Sequence, residues 1–148
     1  MKTIFKSFLV WMALLLSLNC FARDTVETYS VQEALTSHMA AKTHVGDSVR
    51  FYFGDAPHGK VLETMGIVKS NRKTNAFGKS DREACQWVFL SALRSLRDQA
   101  LERGGNAVIN IHSNYRNKMT SSRTHFTCGS GAVIAGVALS GKVVKLAK

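Results

Sequence analysis

The residues of this chain whose chemistry could reach beyond packing are five histidines, the cysteines, and one run of glycines ending in a lysine. Cys85 and Cys128 could form a disulfide, bind metal as thiolates or act as nucleophiles. His112 and His125 could hold a metal ion: if residues 107–112 and 123–128 pair as antiparallel strands, the two imidazoles become neighbours, and a reduced Cys128 could join them. The remaining histidines do not extend that site. His38 and His44 flank a helix end, His58 falls in a turn, and no H-x-x-x-H or H-x-H pair puts two imidazoles on one face. A metal centre on His112 and His125 is therefore the alternative reading, behind one without metal.

Gly136-Val137-Ala138-Leu139-Ser140-Gly141-Lys142-Val143 fits seven positions of the phosphate-binding pattern G-x-x-x-x-G-K-[ST] and fails the eighth. The missing hydroxyl is the one that would bind Mg²⁺. Too few residues follow Lys142 to build the helix whose N-terminus must cradle phosphate. No serine lies in a G-x-S-x-G elbow, and the acids are dispersed rather than paired. The sequence thus predicts no catalytic residue and no cofactor, and the chain does not read as an enzyme.

Residues 1–22 have the three parts of an export signal: Lys2 and Lys6 as a positive start, Phe8 to Leu18 as an apolar core, and Cys20-Phe21-Ala22 as a small-x-small cleavage site. The apolar run falls short of the roughly 20 residues a membrane span needs, and no later segment is a better candidate. Ser17-Leu18-Asn19 ahead of Cys20 departs from a lipoprotein signal, so cleavage before Arg23 is favoured over lipidation. The expected product is a single domain, residues 23–148, periplasmic or secreted.

Cleavage leaves Cys85 and Cys128 where disulfides persist, without a C-x-x-C redox pair. A bridge between them closes a 43-residue loop, for which chain entropy gives about 4 kcal/mol. The signal takes two of the 20 basic residues and none of the 10 acidic ones, so the net charge falls from +10 to +8. Outside the cytoplasm such a charge points away from nucleic acid and towards lipid headgroups, lipopolysaccharide, acidic glycans or acidic proteins. The basic residues concentrate in two polar stretches. One, expected as a loop over residues 70–79, carries Arg72 and Lys73; the other, over residues 113–122, carries Tyr115, Arg116 and Lys118. Those five residues are the candidate surface for an envelope protein or an anionic envelope surface.

The elements that must position these residues follow from periodicity and caps. Ser30-Val31-Gln32-Glu33 is a capping box opening a short helix over residues 31–42, and Ser80-Asp81-Arg82-Glu83 is a second, opening a long helix over residues 81–103 that Gly104-Gly105 closes. Cys85, Phe89, Ala92, Leu96 and Ala100 recur on one face of the long helix, widened by Val88 and Leu93, with Trp87 at the flank. Residues 48–53 and 60–69 read as strands joined in a hairpin through the turn at Pro57. Residues 106–112 and 123–128 give two more, with Phe126 and Cys128 on one face. The apolar stretch Ala132 to Leu146 carries a tight turn or bulge at Ser140-Gly141. The sum is an α+β domain: one sheet of about four to six mostly antiparallel strands under one long helix, with Cys128 brought to Cys85.

Three segments carry a family resemblance. Residues 71–81, Ala84-Cys85-Gln86-Trp87-Val88-Phe89-Leu90-Ser91-Ala92-Leu93 and Gly105-Asn106-Ala107-Val108-Ile109-Asn110-Ile111 resemble a group of small exported bacterial proteins labelled "excinuclease ATPase subunit". The resemblance spans nearly all of residues 23–148. It implies an exported domain and no mechanism; the ATP-binding activity in the label finds no intact loop or zinc-finger cysteine pairs here. In that group a histidine commonly follows the second cysteine, where this chain has Gly129-Ser130-Gly131. A weaker resemblance runs to the lipoprotein sensors of the Rcs envelope-stress phosphorelay, which pair a helix with a cysteine-bearing strand in a disulfide-stapled α+β domain. It implies architecture and, by analogy, a sensing or binding role. The sequence as a whole predicts an exported, disulfide-stapled, non-enzymatic binding or accessory domain of the bacterial cell envelope.

Overall fold

Ser80 opens the long helix as its capping box requires: its hydroxyl accepts the Glu83 backbone N–H at 3.2 Å. Such a cap is worth about 1 kcal/mol. A computed structural model describes residues 23–46 and 48–148. The signal read over residues 1–22, with Cys20 and the cleavage site, lies outside the described residues. In chain order the elements are β1 (Asp24–Ser30), α1 (Val31–Thr36), α2 (His38–Thr43), β2 (Arg50–Phe53), β3 (Val61–Asn75), α3 (Asp81–Glu102), β4 (Ala107–Tyr115), β5 (Lys118–Thr120), β6 (His125–Gly131) and β7 (Ile134–Leu146). No described helix is long and apolar enough to cross a membrane.

The protein is α+β, one seven-stranded sheet with α3 packed across one face. The sheet is larger than the four to six strands expected, and mostly antiparallel as expected. β7 organises it. Along one edge β7 pairs with β3 from Ile134 to Leu146; along the other it meets first β6 and then β4. β1 extends the sheet beyond β6, and β2 lies parallel to β4 on the far side.

Several local expectations give way to this topology. The residues on either side of Pro57 do not form a hairpin, because β4 and β7 lie between β2 and β3. Residues 48–53 alternate as a half-buried strand must, but the partners of the two segments, β4 and β7, lie far along the chain, which local pattern does not reveal. The helix expected over residues 31–42 is two: Ser37 turns extended and its hydroxyl donates to the Ala34 carbonyl at 2.7 Å, competing with the backbone ladder. The polar stretch from residue 70 is strand as far as Asn75, so Arg72 and Lys73 lie on β3 rather than in a loop. Likewise, most of residues 113–122 belongs to a hairpin whose two-residue turn, Arg116-Asn117, has positive φ at both positions. Ser140-Gly141 is neither turn nor bulge on its own strand. The bulge lies opposite, where Asn110 and Ile111 of β4 face Gly141 between the pairs Ile109–Lys142 and His112–Ser140.

That bulge sorts the core. Val108 and Ile111 both face α3, while Ala107 and Ile109 join Val144 and Leu146 in a second apolar cluster, with Tyr52 and Val61 against it. The α3 stripe read from sequence is buried throughout: Cys85, Phe89, Ala92, Leu96 and Ala100 are inaccessible, with Val88 and Leu93 beside them. Phe89 stacks on Phe126 with ring centroids 3.9 Å apart and planes 10° from parallel. One helical turn from Phe89, and two residues along β6 from Phe126, Cys85 and Cys128 form the disulfide that ties helix to sheet. Part of the outer edge of β3 is covered from the end of α3, where the capping Arg103 donates to the Met65 and Ile67 carbonyls and Gln99 donates to that of Lys69. Hydrogen bonds of this kind blunt an edge that would otherwise template another strand.

Candidate functional site

Adjacent residues on a strand point to opposite faces, and this divides the basic pair on β3. Arg72 turns to the helix side, where its guanidinium donates to the Ser95 hydroxyl at 3.1 Å. Lys73 is registered with Gly136 of β7, and its side chain passes over that glycine on the outer face. Each therefore borders a different groove, and Lys73 reaches the rim of both.

The helix-side groove, about 430 Å³, lies between the exposed flank of α3, the end of α2 and β3. Trp87, Ser91, Arg94 and Asp98 line it from α3 at intervals of four, three and four residues, a second helical face beside the buried one. Lys42 enters from α2 and Arg72 from β3. Ser91 donates to the Trp87 carbonyl at 3.0 Å, the Ser95 hydroxyl accepts from Arg72, and Trp87 keeps 36 % of its surface exposed. The only carboxylate of the lining, Asp98, is held by Arg97 at 2.8 Å. Arg97 also donates to the His44 carbonyl at 2.6 Å, which fixes the α2 end of the groove to α3. The side chains of Lys42, Lys73 and Arg94 make no hydrogen bond or ion pair among the described residues. Among the described residues the groove thus combines an excess of positive charge with hydroxyls and an indole.

The outer groove, about 440 Å³, gathers Lys73, Tyr115 and Arg116, three of the five residues singled out in the sequence. Its floor is glycine-rich: the Tyr115 ring lies directly over Gly129, leaving no space for a side chain there, and also passes near Gly136. Charge here is largely cancelled. Arg116 makes two hydrogen bonds to the Asp24 carboxylate, at 3.0 and 3.1 Å, and sits over the Tyr115 ring at 5.4 Å. Arg23 pairs with Asp81 at 2.6 Å. Lys118 joins neither groove; it borders a shallow depression beside Val26, Glu27 and Thr28.

The antiparallel pairing of residues 107–112 with 123–128 that would make His112 and His125 cross-strand neighbours does not form. β4 and β6 follow one another along the same edge of β7 and are not paired with each other; His112 is registered with Ser140 of β7 and His125 with Ser30 of β1. The His112 ring instead lies 2.9 Å from the Asn110 carbonyl, and that of His125 lies 2.8 Å from the Thr124 hydroxyl. Cys128 is committed to the disulfide, and no group of three potential ligands gathers among the described residues. The ATP-loop pattern fails on conformation as well, since Gly136 to Val143 is extended strand paired on both edges. Sequence reasoning passed over Lys42, Trp87 and Arg94; the helical spacing of residues 87, 91, 94 and 98 was the available signal.

No family model matches the chain, and no curated protein is similar to it.

Proposed function

We infer that the chain is a small exported binding domain of the bacterial cell envelope, with no chemistry of its own, which engages an anionic partner through the helix-side groove. The observation that carries this reading is the lining of that groove. Lys42, Arg72 and Arg94 meet there with Lys73 at the rim, and Asp98, the one carboxylate among the described lining residues, is already neutralised by Arg97. Clustered charge of one sign, without a free counter-charge among the described residues, draws in ligands of the opposite sign. The scaffold beneath is rigid, as a binding site requires, because α3 is capped, buried along one face and stapled to β6.

Two further features support export. The disulfide fits an oxidising compartment, periplasmic or secreted, and residues 1–22 read as a cleavable signal. This reading keeps the chain with the small exported proteins it resembles and sets aside the ATP-binding excinuclease alternative, whose loop is here a strand.

Cell fractionation followed by intact-mass spectrometry under non-reducing conditions tests the assignment. A periplasmic species beginning at Arg23 and two hydrogens lighter than the dithiol is expected, and crosslinking should then retrieve an envelope partner whose capture falls with added salt. A full-length cytoplasmic protein with both thiols free would overturn it.

A further inference from the structure

We propose that the helix-side groove recognises an anionic saccharide, a sugar carrying phosphate or carboxylate, with Arg72 and Arg94 on the acid group and Trp87 against the sugar ring. This deepens the envelope-binding reading and rests on it. Charge alone would make the groove a generic polyanion surface, and three features narrow the choice.

First, the cations surround a concavity of about 430 Å³ instead of forming a flat stripe, so they converge on a compact ligand. Second, an aromatic wall accompanies them. Trp87 is 36 % exposed although its neighbours Val88, Phe89 and Leu90 are fully buried, and an indole that keeps one part wet offers an apolar surface beside a polar rim. The C–H face of a pyranose matches such a surface, while its hydroxyls and acid groups match what surrounds it. Third, Ser91 and Ser95 place hydroxyls between the indole and the guanidinium groups, spaced one helical turn apart on α3. The Ser91 oxygen can accept from a sugar hydroxyl and the Ser95 hydroxyl, which already accepts from Arg72 and Gln99, can donate to one, while the arginines offer paired donors to phosphate or carboxylate. An extended acidic peptide fits less well, since it would need a long strand edge, and the β3 carbonyls preceding Arg72, at Met65, Ile67 and Lys69, are taken up by Arg103 and Gln99.

Trp87 provides its own reporter. The chain has two tryptophans, Trp11 and Trp87, so the full chain carrying Trp11→Phe has emission from the groove alone. Titrating it with a bisphosphorylated glucosamine disaccharide and with a digalacturonate should give a saturable change in emission with one or both. Whichever binds more tightly identifies phosphate or carboxylate as the acid group. The affinity should exceed those for inorganic phosphate and for the neutral disaccharide by about tenfold or more. Arg72→Gln with Arg94→Gln should weaken binding by a further tenfold or so while leaving the unfolding midpoint unchanged, because both side chains are exposed. Equal affinity for inorganic phosphate would reduce the groove to a charge effect and overturn the proposal. So would binding to anionic phospholipid vesicles without any response to the soluble sugars, or saccharide binding that persists in the double variant with Trp87 silent. These outcomes concern the groove; a cytoplasmic location would instead overturn the envelope assignment.

Discussion

Gly141 of β7 lies against Val108 of β4 so closely that a side chain cannot be added: a Cβ at residue 141 would stand 2.6 Å from Val108 Cγ1. Ile111 Cγ1 would be 3.1 Å away on the other side, because the bulge at Asn110 turns Val108 and Ile111 to the same face. One of the two glycines that imitate a phosphate-binding loop is thus explained by packing. Gly141→Ala is expected to destabilise the domain by about 1–3 kcal/mol through overpacking, measured by urea unfolding. A change within a few tenths of a kcal/mol would mean that the β4–β7 contact is looser than described.

The disulfide should behave as a structural staple. Cys85 and Cys128 are 0 % and 1 % exposed, so reductant cannot reach them without an opening of the α3–β6 contact. Reduction by dithiothreitol is expected to be slow in native buffer and to accelerate with sub-denaturing urea. The paired variant Cys85→Ala with Cys128→Ala should lose about 4 kcal/mol of stability, the chain-entropy figure for a 43-residue loop. Rapid reduction without urea would point to a switch instead.

Tyr115 and Gly129 offer a test of the outer groove. The phenol fills the place a Gly129 side chain would occupy, so Gly129→Ala must displace the ring or strain β6. A loss of about 1–3 kcal/mol is expected, and in the Tyr115→Ala background much of it should vanish. An additive double-mutant cycle would place Tyr115 away from Gly129 in solution.

The Asp55–Arg123 pair sets a pH dependence. Hydrogen bonding from Arg123 is the main cause that lowers the Asp55 pKa below its ordinary value, with bonds at 2.6 and 3.0 Å. A carboxylate with a depressed folded-state pKa contributes above the unfolded value and loses that contribution as pH falls through the folded one. The stability difference between the native chain and Asp55→Asn should therefore be small but present at neutral pH and should close on acidification. Carboxyl NMR should give a low midpoint for Asp55 that returns to the ordinary range in Arg123→Gln.

What the sequence made legible was what short-range physics decides. α3 announced itself through two caps and a five-residue stripe because neighbours on a helix face are neighbours in sequence. Phe126 and Cys128 shared a face, as the period of a strand demands. β1 was missed because an edge strand buries little: its one aliphatic residue, Val26, is 49 % exposed, so no apolar alternation marks it. Strand partners were misassigned because β7 is buried on both faces and carries no alternation to show which edge takes which neighbour. The candidate site was half legible. Trp87, Ser91 and Arg94 share a readable helical face, but Lys42 and Arg72 join them only through the packing of α2 and β3 on α3.

β7 pairs with β3, β4 and β6 and follows all three in the chain. Until residues 134–146 emerge from whatever is making or threading the polypeptide, those three strands have no common partner and the sheet has no middle. Cys128 precedes that segment, so an oxidant can meet both thiols before the sheet closes over them. The middle of the sheet therefore waits on residues 134–146, which close it beside a crosslink whose two cysteines are both already made.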